Sequence, residues 1–404
     1  MKFKSAISSE SDTAEACESI LGDLLADRSD EPDLLFVFAS CTHNIGAIRQ
    51  LVSSRLPDAQ IHGGTSCRGS MNEERVELSG GFALSALAVW DPDGAYGSSA
   101  RACGDNPKLA ARQALLSALE QAGRPGEVPD LVWLTAAPGQ EELAVEAIKE
   151  VVGDRALIVG GSSADNDISG QWCQFTREAQ FCEGLAVTAM FITGAVSSVF
   201  QCGYASAGRS GRVTKSDKRR LYEIDHRPAG DVYFDWSDRP APHLTNGDDP
   251  KGLLPDSTLI PLGKVSGDLA SVPFHLLLHP AAVHADGSLD LFADVQEGDE
   301  VFLMQGTKQS IVARAGRLAC LARADLQSKG AQCSCALIVF CGGCMLAVEE
   351  EMETVRRSIA DTLGPIPFLV MFSFGEQGQV LGGQSQHANL MISCTIFGNP
   401  AVVG

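Results

Sequence analysis

The feature that most constrains this chain is a phrase it states more than once: an apolar strand, a small-residue turn, a helix, a second apolar strand, then a loop of Gly and hydroxyl residues. From Leu131 to Asp167 the phrase reads LVWLTAAPGQEELAVEAIKEVVGDRALIVGGSSADND. Leu34 to Ser70, LLFVFASCTHNIGAIRQLVSSRLPDAQIHGGTSCRGS, lies over it without a gap, so that Gly63, Gly64 and Ser66 fall on Gly160, Gly161 and Ser163. A third, longer copy begins at Ala336 and sets Gly375 and Glu376 where the other two carry Gly-Gly. Self-similarity of this kind makes the repeat the scaffold of the fold.

Val132 to Leu134 and Ala156 to Val159 are short unbroken apolar runs, as expected of strands buried on both faces, and Leu143, Ala147, Ile148, Val151 and Val152 form a helical stripe between them. Each copy is therefore a βαβ unit, and the first two run on into a further strand, one within 80–90 and one from Glu183. A chain of 404 residues exceeds one ordinary core. The expected class is α/β, with repeated βαβ-β units forming two mixed-sheet domains, 1–220 and 221–404. Asp12 with Glu15 predicts a capped first helix, and Asn106-Pro107 predicts another that ends near Gly123. In the second half the pattern predicts strands at Phe274 to Leu278, Leu289 to Ala293 and Glu300 to Met304, the last two joined by a turn at Glu297-Gly298-Asp299. A helix over Ile311 to Leu326 follows, and a loop from Gly375 to Gln386 leads to a last strand opened by His387.

In open α/β sheets ligands sit beyond the carboxyl ends of the strands, where this chain places its small residues. Such loops turn backbone N–H groups toward an anion or polar ligand, because Gly permits close approach. The expected ligand-binding set is Gly63, Gly64, Thr65 and Ser66 from the first copy. Gly160, Gly161, Ser162, Ser163, Asp165 and Asn166 come from the second, and Gly375, Glu376, His387 and Asn389 from the third. Glycines that only make tight turns are the plain alternative for one loop; three loops at equivalent ends point to a shared pocket.

A formal charge of −20, from 31 basic and 51 acidic residues, argues against nucleic acid or an anionic membrane surface as a partner. The start, MKFKSAISSESD, has no apolar stretch behind its lysines, and no run approaches the roughly 20 apolar residues of a spanning helix, so a cytoplasmic protein is expected. Thirteen cysteines, several inside apolar runs, speak for reduced thiols rather than a disulfide framework. Arg209, Arg212, Lys215, Lys218, Arg219 and Arg220 form the one basic stretch. Its plain explanation is a solvated edge or linker, and its sharper one a contact with an acidic partner.

GGTSC at Gly63, GGSSADN at Gly160, RVTK at Arg212, EIDHRPAGDVY at Glu223, GEQG at Gly375 and HANLMIS at His387 occur in an order that resembles the FIST family, with its N-terminal and C-terminal domains. The resemblance covers nearly the whole chain. It implies an intracellular sensory module that binds a small ligand and feeds a signalling partner, with a homo-oligomer left open. FHLLLHPAAVHADGSLDLFADVQEGDEV and CGGCMLAVEEEM resemble the NosP branch, which implies haem, nitric oxide and a histidine kinase. His226 stands where the family's turn carries Gly.

Without Cys-x-x-Cys-His any haem would be b-type and need an axial side chain. His387, His43 and His226 are the candidates for metal: the first follows the Gly-rich loop, the second sits at the matching turn of the first copy, and the third is the family departure. Cys341-Gly-Gly-Cys344 has the spacing of a redox pair, against the plainer reading of packing cysteines. Zinc shared with Cys333 and Cys335 fails, because a strand over Ala336 to Phe340 would hold Cys335 and Cys341 about 20 Å apart. An enzyme would use Ser163 or Cys67 as nucleophile, His387 as base and Glu376 as its orienter, but no Gly-x-Ser-x-Gly elbow is present. The expectation is a sensor rather than an enzyme, haem-based or, without iron, selective for a small polar metabolite.

Overall fold

In the computed structural model, which describes residues 1–245, 247–269, 272–380 and 384–401, each copy of the repeat is a parallel strand pair with a helix laid over it. Strands Leu34–Ala39 and Gln60–Thr65 flank helix Ile45–Arg55, Leu131–Ala136 and Leu157–Ser162 flank Glu141–Val152, and Ala331–Cys341 and Phe368–Ser373 flank Met352–Leu363. The strands lack polar alternation because both faces are buried. One face packs on helices, and the other meets a core common to all three copies, built from Phe36 and Phe38, Trp133 and Val159, and Leu337, Val339 and Met371.

The repeated unit is longer than its sequence signature. A strand and a helix precede each parallel pair: Lys2–Ser8 with Thr13–Leu25, Ala95–Ala102 with Pro107–Gln121, and Ala195–Cys202 with Lys308–Ser328. A closing strand follows each: Leu84–Trp90, Gly184–Phe191 and Met391–Pro400. Asp12 and Asn106 cap their helices as expected, accepting from Glu15 N and Leu109 N. Helices Glu141–Val152 and Met352–Leu363 both stop at a glycine, Gly153 and Gly364, with φ of +70° and +80°.

The three six-stranded sheets share one strand order, and each is completed by a hairpin from another copy. Ser70–Asn72, which follows the first copy, pairs with Phe368–Ser373 of the third. Gln174–Thr176, following the second, pairs with Gln60–Thr65 of the first. Glu376–Gln379, following the third, pairs with Leu157–Ser162 of the second. The exchange closes a ring, so that no copy has a complete sheet by itself. In the third copy a long insertion separates the first strand from its helix and forms a nine-stranded antiparallel sheet with its own core around Val213, Leu221, Tyr233, Leu278 and Leu303.

Several expectations need correction. The third copy does not carry Gly375-Glu376 at the Gly-Gly position: Val37 and Phe38 face Gly63 and Gly64, and the matching Val339 and Phe340 face Met371 and Phe372. Gly375 and Glu376 lie beyond the strand end. His387 falls within the arm strand Ser385–Ala388 rather than opening the last strand, and of the loop expected over Gly375 to Gln386, Leu381 to Gly383 lie outside the described residues. The basic stretch contributes an exposed thirteen-residue strand, Ala205–Asp217, where a linker or edge was expected. Leu289–Leu291 and Glu300–Gln305 are not hairpin partners, since the former pairs with Arg220–Ile224 and Pro280–Val283 and the latter with Ala205–Asp217 and Leu262–Leu269. Pro280–Val283 and Leu262–Leu269 were not foreseen, because their alternation is weak.

A methyl group at Gly63 would sit 2.1 Å from Cζ of Phe175, the fully buried aromatic of the arm lent by the second copy. Gly63→Ala is therefore expected to lower stability by about 1–3 kcal/mol in urea denaturation. Adding Phe175→Leu should recover part of that loss. A double variant no better than the sum of the two singles would disprove the steric account.

Candidate functional site

The small-residue corners of the first two copies meet the strand end of the third at the centre of the ring, and the space among them is filled. Thr65 O accepts from Ala164 N, Thr65 Oγ1 accepts from Cys173 N, Phe372 N donates to Ser66 Oγ, and Ser162 N donates to Gly375 O. Each of these bonds runs from one copy to another. Gly64 would meet Thr135 and Ser163 if it carried a Cβ, Gly161 would meet Val339 and Ser373, and Gly375 would meet the His387 ring. Thr65, Ser66, Ser162 and Ser163 are fully buried. The Ser162 and Ser163 hydroxyls also bond within their own copy, to Glu141 Oε1 and Cys173 O, and Gly63, Gly64, Gly160 and Gly161 are strand positions that allow close approach.

The cavity lies one step further along the chain. It has a volume of ≈ 300 Å³ and begins where the corners end: Cys67 after the first, Asn166, Asp167 and Ile168 after the second, and Phe374 after the third strand pair, with Cys341 and Gly343 beside it. The inserted sheet closes it with Leu254, Pro255, Thr258, His279 and Phe292, and Leu346, Ala347 and Asn389 complete the wall. Of the sequence-predicted binding residues, Asn166 and Asn389 line this space. The others stand behind it, among them Asp165, whose buried carboxylate accepts from Ile168 N (2.6 Å) and Gln171 N (2.8 Å) and so shapes the loop at the rim. His279, Phe292 and Phe374 were missed as site residues. The available clue was that each corner's next residue is the first that can leave the sheet.

Burial pushes His279 down to about 3, so its imidazole is neutral. Ser257 Oγ donates to Pro280 O (2.7 Å) and lies 3.0 Å from His279 Nε2. The serine proton is thus committed, Nε2 carries the ring proton, and Nδ1 is left as the bare accepting nitrogen. Asn389 donates from Nδ2 to Phe292 O (3.4 Å), while its Oδ1 has no partner. The Cys67 thiol is pushed up to about 12 by burial and then by Cys341. Cys341 is also raised, by its hydrogen bond to Cys344 and by burial, so both thiols are protonated and poor nucleophiles.

The residues proposed for a catalytic triad do not assemble. Ser163 Oγ donates to Cys173 O, His387 Nδ1 lies 3.1 Å from Gln377 Nε2, and Glu376 accepts from Ser373 Oγ and Met391 N. His43 is buried against Phe82 with Nδ1 3.2 Å from Thr13 Oγ1, and burial lowers its pKa. His226 is exposed on a turn at φ +61°, a conformation that suits the Gly expected there. These three histidines therefore stand apart from the cavity wall and from one another's ligand clusters. Among the described residues the one group of three potential metal ligands is Glu141, Glu142 and His387. Arg219 occupies that cluster, 2.7 Å from Glu141 and 2.6 Å from Glu142, and ties the inserted sheet to the second copy. Burial alone would raise Glu141, but Arg219, His387 and the Ser162 hydroxyl hold it down to about 2.

Residues 33–227 match the family model of the FIST N domain and residues 229–379 that of the FIST C domain. No curated protein matches the chain. Among solved structures, T. maritima PurL complexed with ADP is 11% identical, with 98% of this chain and 71% of that chain covered, at a TM-score of 0.24. Phosphoribosylformylglycinamidine synthase II from Thermotoga maritima is 12% identical over 98% and 71%, at a TM-score of 0.22. Likeness this slight carries no argument.

Two measurements test the electrostatics. Arg219→Ala leaves a buried carboxylate without its cation and is expected to cost about 3 kcal/mol or more, with Arg219→Lys recovering little because it lacks the fork that reaches both glutamates. Glu376 is held well above the ordinary range by burial and by Cys341, which favours the protonated carboxyl in the fold. Its contribution to stability is complete below the unfolded carboxylate value of about 4.3 and falls as pH rises, by at most about 1.4 kcal/mol per unit. Between pH 5 and 8 the parent should lose melting temperature faster than Glu376→Gln; parallel curves would show that this carboxyl is ionised.

Proposed function

We propose, from the premise that this chain belongs to the FIST family, that it senses one small molecule held in the cavity where its two family domains meet. FIST domains are signalling sensor domains that bind small ligands. The observation that carries the reading is the origin of the wall. Cys67 and Asn166 to Ile168 come from the span matched by the N domain, whereas Leu254 to Thr258, His279, Phe292, Cys341 and Phe374 come from that matched by the C domain. An occupant touches both, so its differential affinity for two arrangements of the domains can shift their populations. A separate signalling protein, such as a histidine kinase, reads the shift.

The wall is mostly apolar, with few polar groups, as small-molecule sites are, and its volume is at the lower end of their range. A compact, largely apolar ligand therefore fits better than a strongly polar metabolite. A haem-based sensor of nitric oxide is the second reading, and His279 favours it: a neutral imidazole with a bare nitrogen is the form that ligates iron. His387, His43 and His226 are outside the wall, so iron there would be held by His279, with the cysteine thiols of Cys67 and Cys341 nearby. The wall contains no Lys or Arg to partner the two carboxylates of a haem.

A thermal-shift screen of the whole chain should find a ligand that raises the melting temperature, and Ala347→Trp, which fills the cavity, should remove the shift. A shift retained in that variant places binding elsewhere and ends the reading. For haem, incubation with haemin should give a Soret band that moves with nitric oxide and is lost in His279→Ala; no Soret band in the parent removes iron from consideration.

A further inference from the structure

The geometry points to a ligand that is neutral or cationic, has an apolar body, and donates hydrogen bonds, with anions rejected. This inference rests on the reading of the cavity as the sensor's ligand site. The polar edge of the wall offers acceptors. The tautomer of His279 leaves Nδ1 without a proton, and Asp167 borders the same space. A buried acceptor without a donor is costly, and a ligand N–H or O–H relieves that cost. No lysine or arginine lines the cavity, and the one imidazole does not take a proton near neutral pH. An anion would lose its water without gaining a cation, beside a carboxylate.

The apolar side of the wall sets the body of the ligand. Phe292 comes from the insertion and Phe374 from the ring, and Ile168 and Leu346 are 46% and 42% exposed. Ile168 holds φ at +61°, a conformation that a β-branched residue rarely takes, and the Asp165 carboxylate holds it there through the Ile168 amide. Strain retained at a cavity rim is characteristic of a functional position. The two aliphatic side chains, one from each family domain, would be covered by an aromatic occupant.

Isothermal titration of the whole chain with indole, tryptamine, N-methylindole and indole-3-acetate separates the terms. Indole and tryptamine are expected to bind, N-methylindole about fivefold more weakly than indole, and indole-3-acetate at least tenfold more weakly. His279→Phe should shrink the gap between indole and its N-methyl form. If indole-3-acetate binds as tightly as indole and Ala347→Trp abolishes both, the charge inference is wrong while the site stands. If no probe binds, or binding ignores Ala347→Trp, the cavity reading fails and takes this inference with it.

Discussion

The structure depends on how closely three sheets can approach where their strands end. Phe175 lies against Gly63, Val339 and Ser373 lie against Gly161, and the Leu134 carbonyl would be 1.8 Å from any Cβ placed on Gly160. Close packing without voids leaves room for hydrogen atoms only at these points. Two exchanged arms exploit the same approach, pairing their backbone at Gly63 and Gly64 and at Gly160 and Gly161, whereas the arm on the third copy pairs with Leu369 to Met371. The corners are thus joints, and the Thr65 and Ser66 hydroxyls help to hold the ring closed.

That closure creates the cavity indirectly. Strands that converge at their carboxyl ends force the following residues outward, and in this ring Cys67, Asn166 and Phe374 emerge around one space. The ring alone would leave it open to water. The inserted nine-stranded sheet covers it with His279 and Phe292, and Arg219 anchors that sheet to Glu141 and Glu142 of the second copy. A sensor needs an element whose position depends on occupancy. Here the cover and the ring are joined by the Arg219 ion pairs on one side and by the packing of Leu276, Leu277 and Met304 on ring residues on another, and both border the cavity.

Much of the ring was legible in the sequence. The strand pairs, their helices and the caps at Asp12 and Asn106 follow from local periodicity and side-chain chemistry, and all three copies form the expected parallel strand pair with its helix. The candidate site was legible only in outline. Its location beyond the strand ends followed from the topology of parallel sheets, whereas the residues that face it did not. Ser163 and Glu376 carry the chemistry expected of a site but have their bonding capacity filled by Cys173, Ser373 and Met391. His279 sits in an apolar run, FHLLLH, in which nothing local marks one histidine as a wall residue and another as core.

What the sequence determined by itself was the repeated unit, its parallel strands and the need for small residues at the ends, because these depend on interactions within a few dozen residues. The tertiary structure alone decided that the arms are exchanged, that Met371 and Phe372 occupy the third copy's Gly-Gly register, and which side chains and backbone stand against the glycines. The reason is physical. A missing Cβ means open space or close approach depending on what stands opposite, and at Gly63 and Gly161 the opposing Phe175, Val339 and Ser373 belong to segments more than about a hundred residues away in the chain.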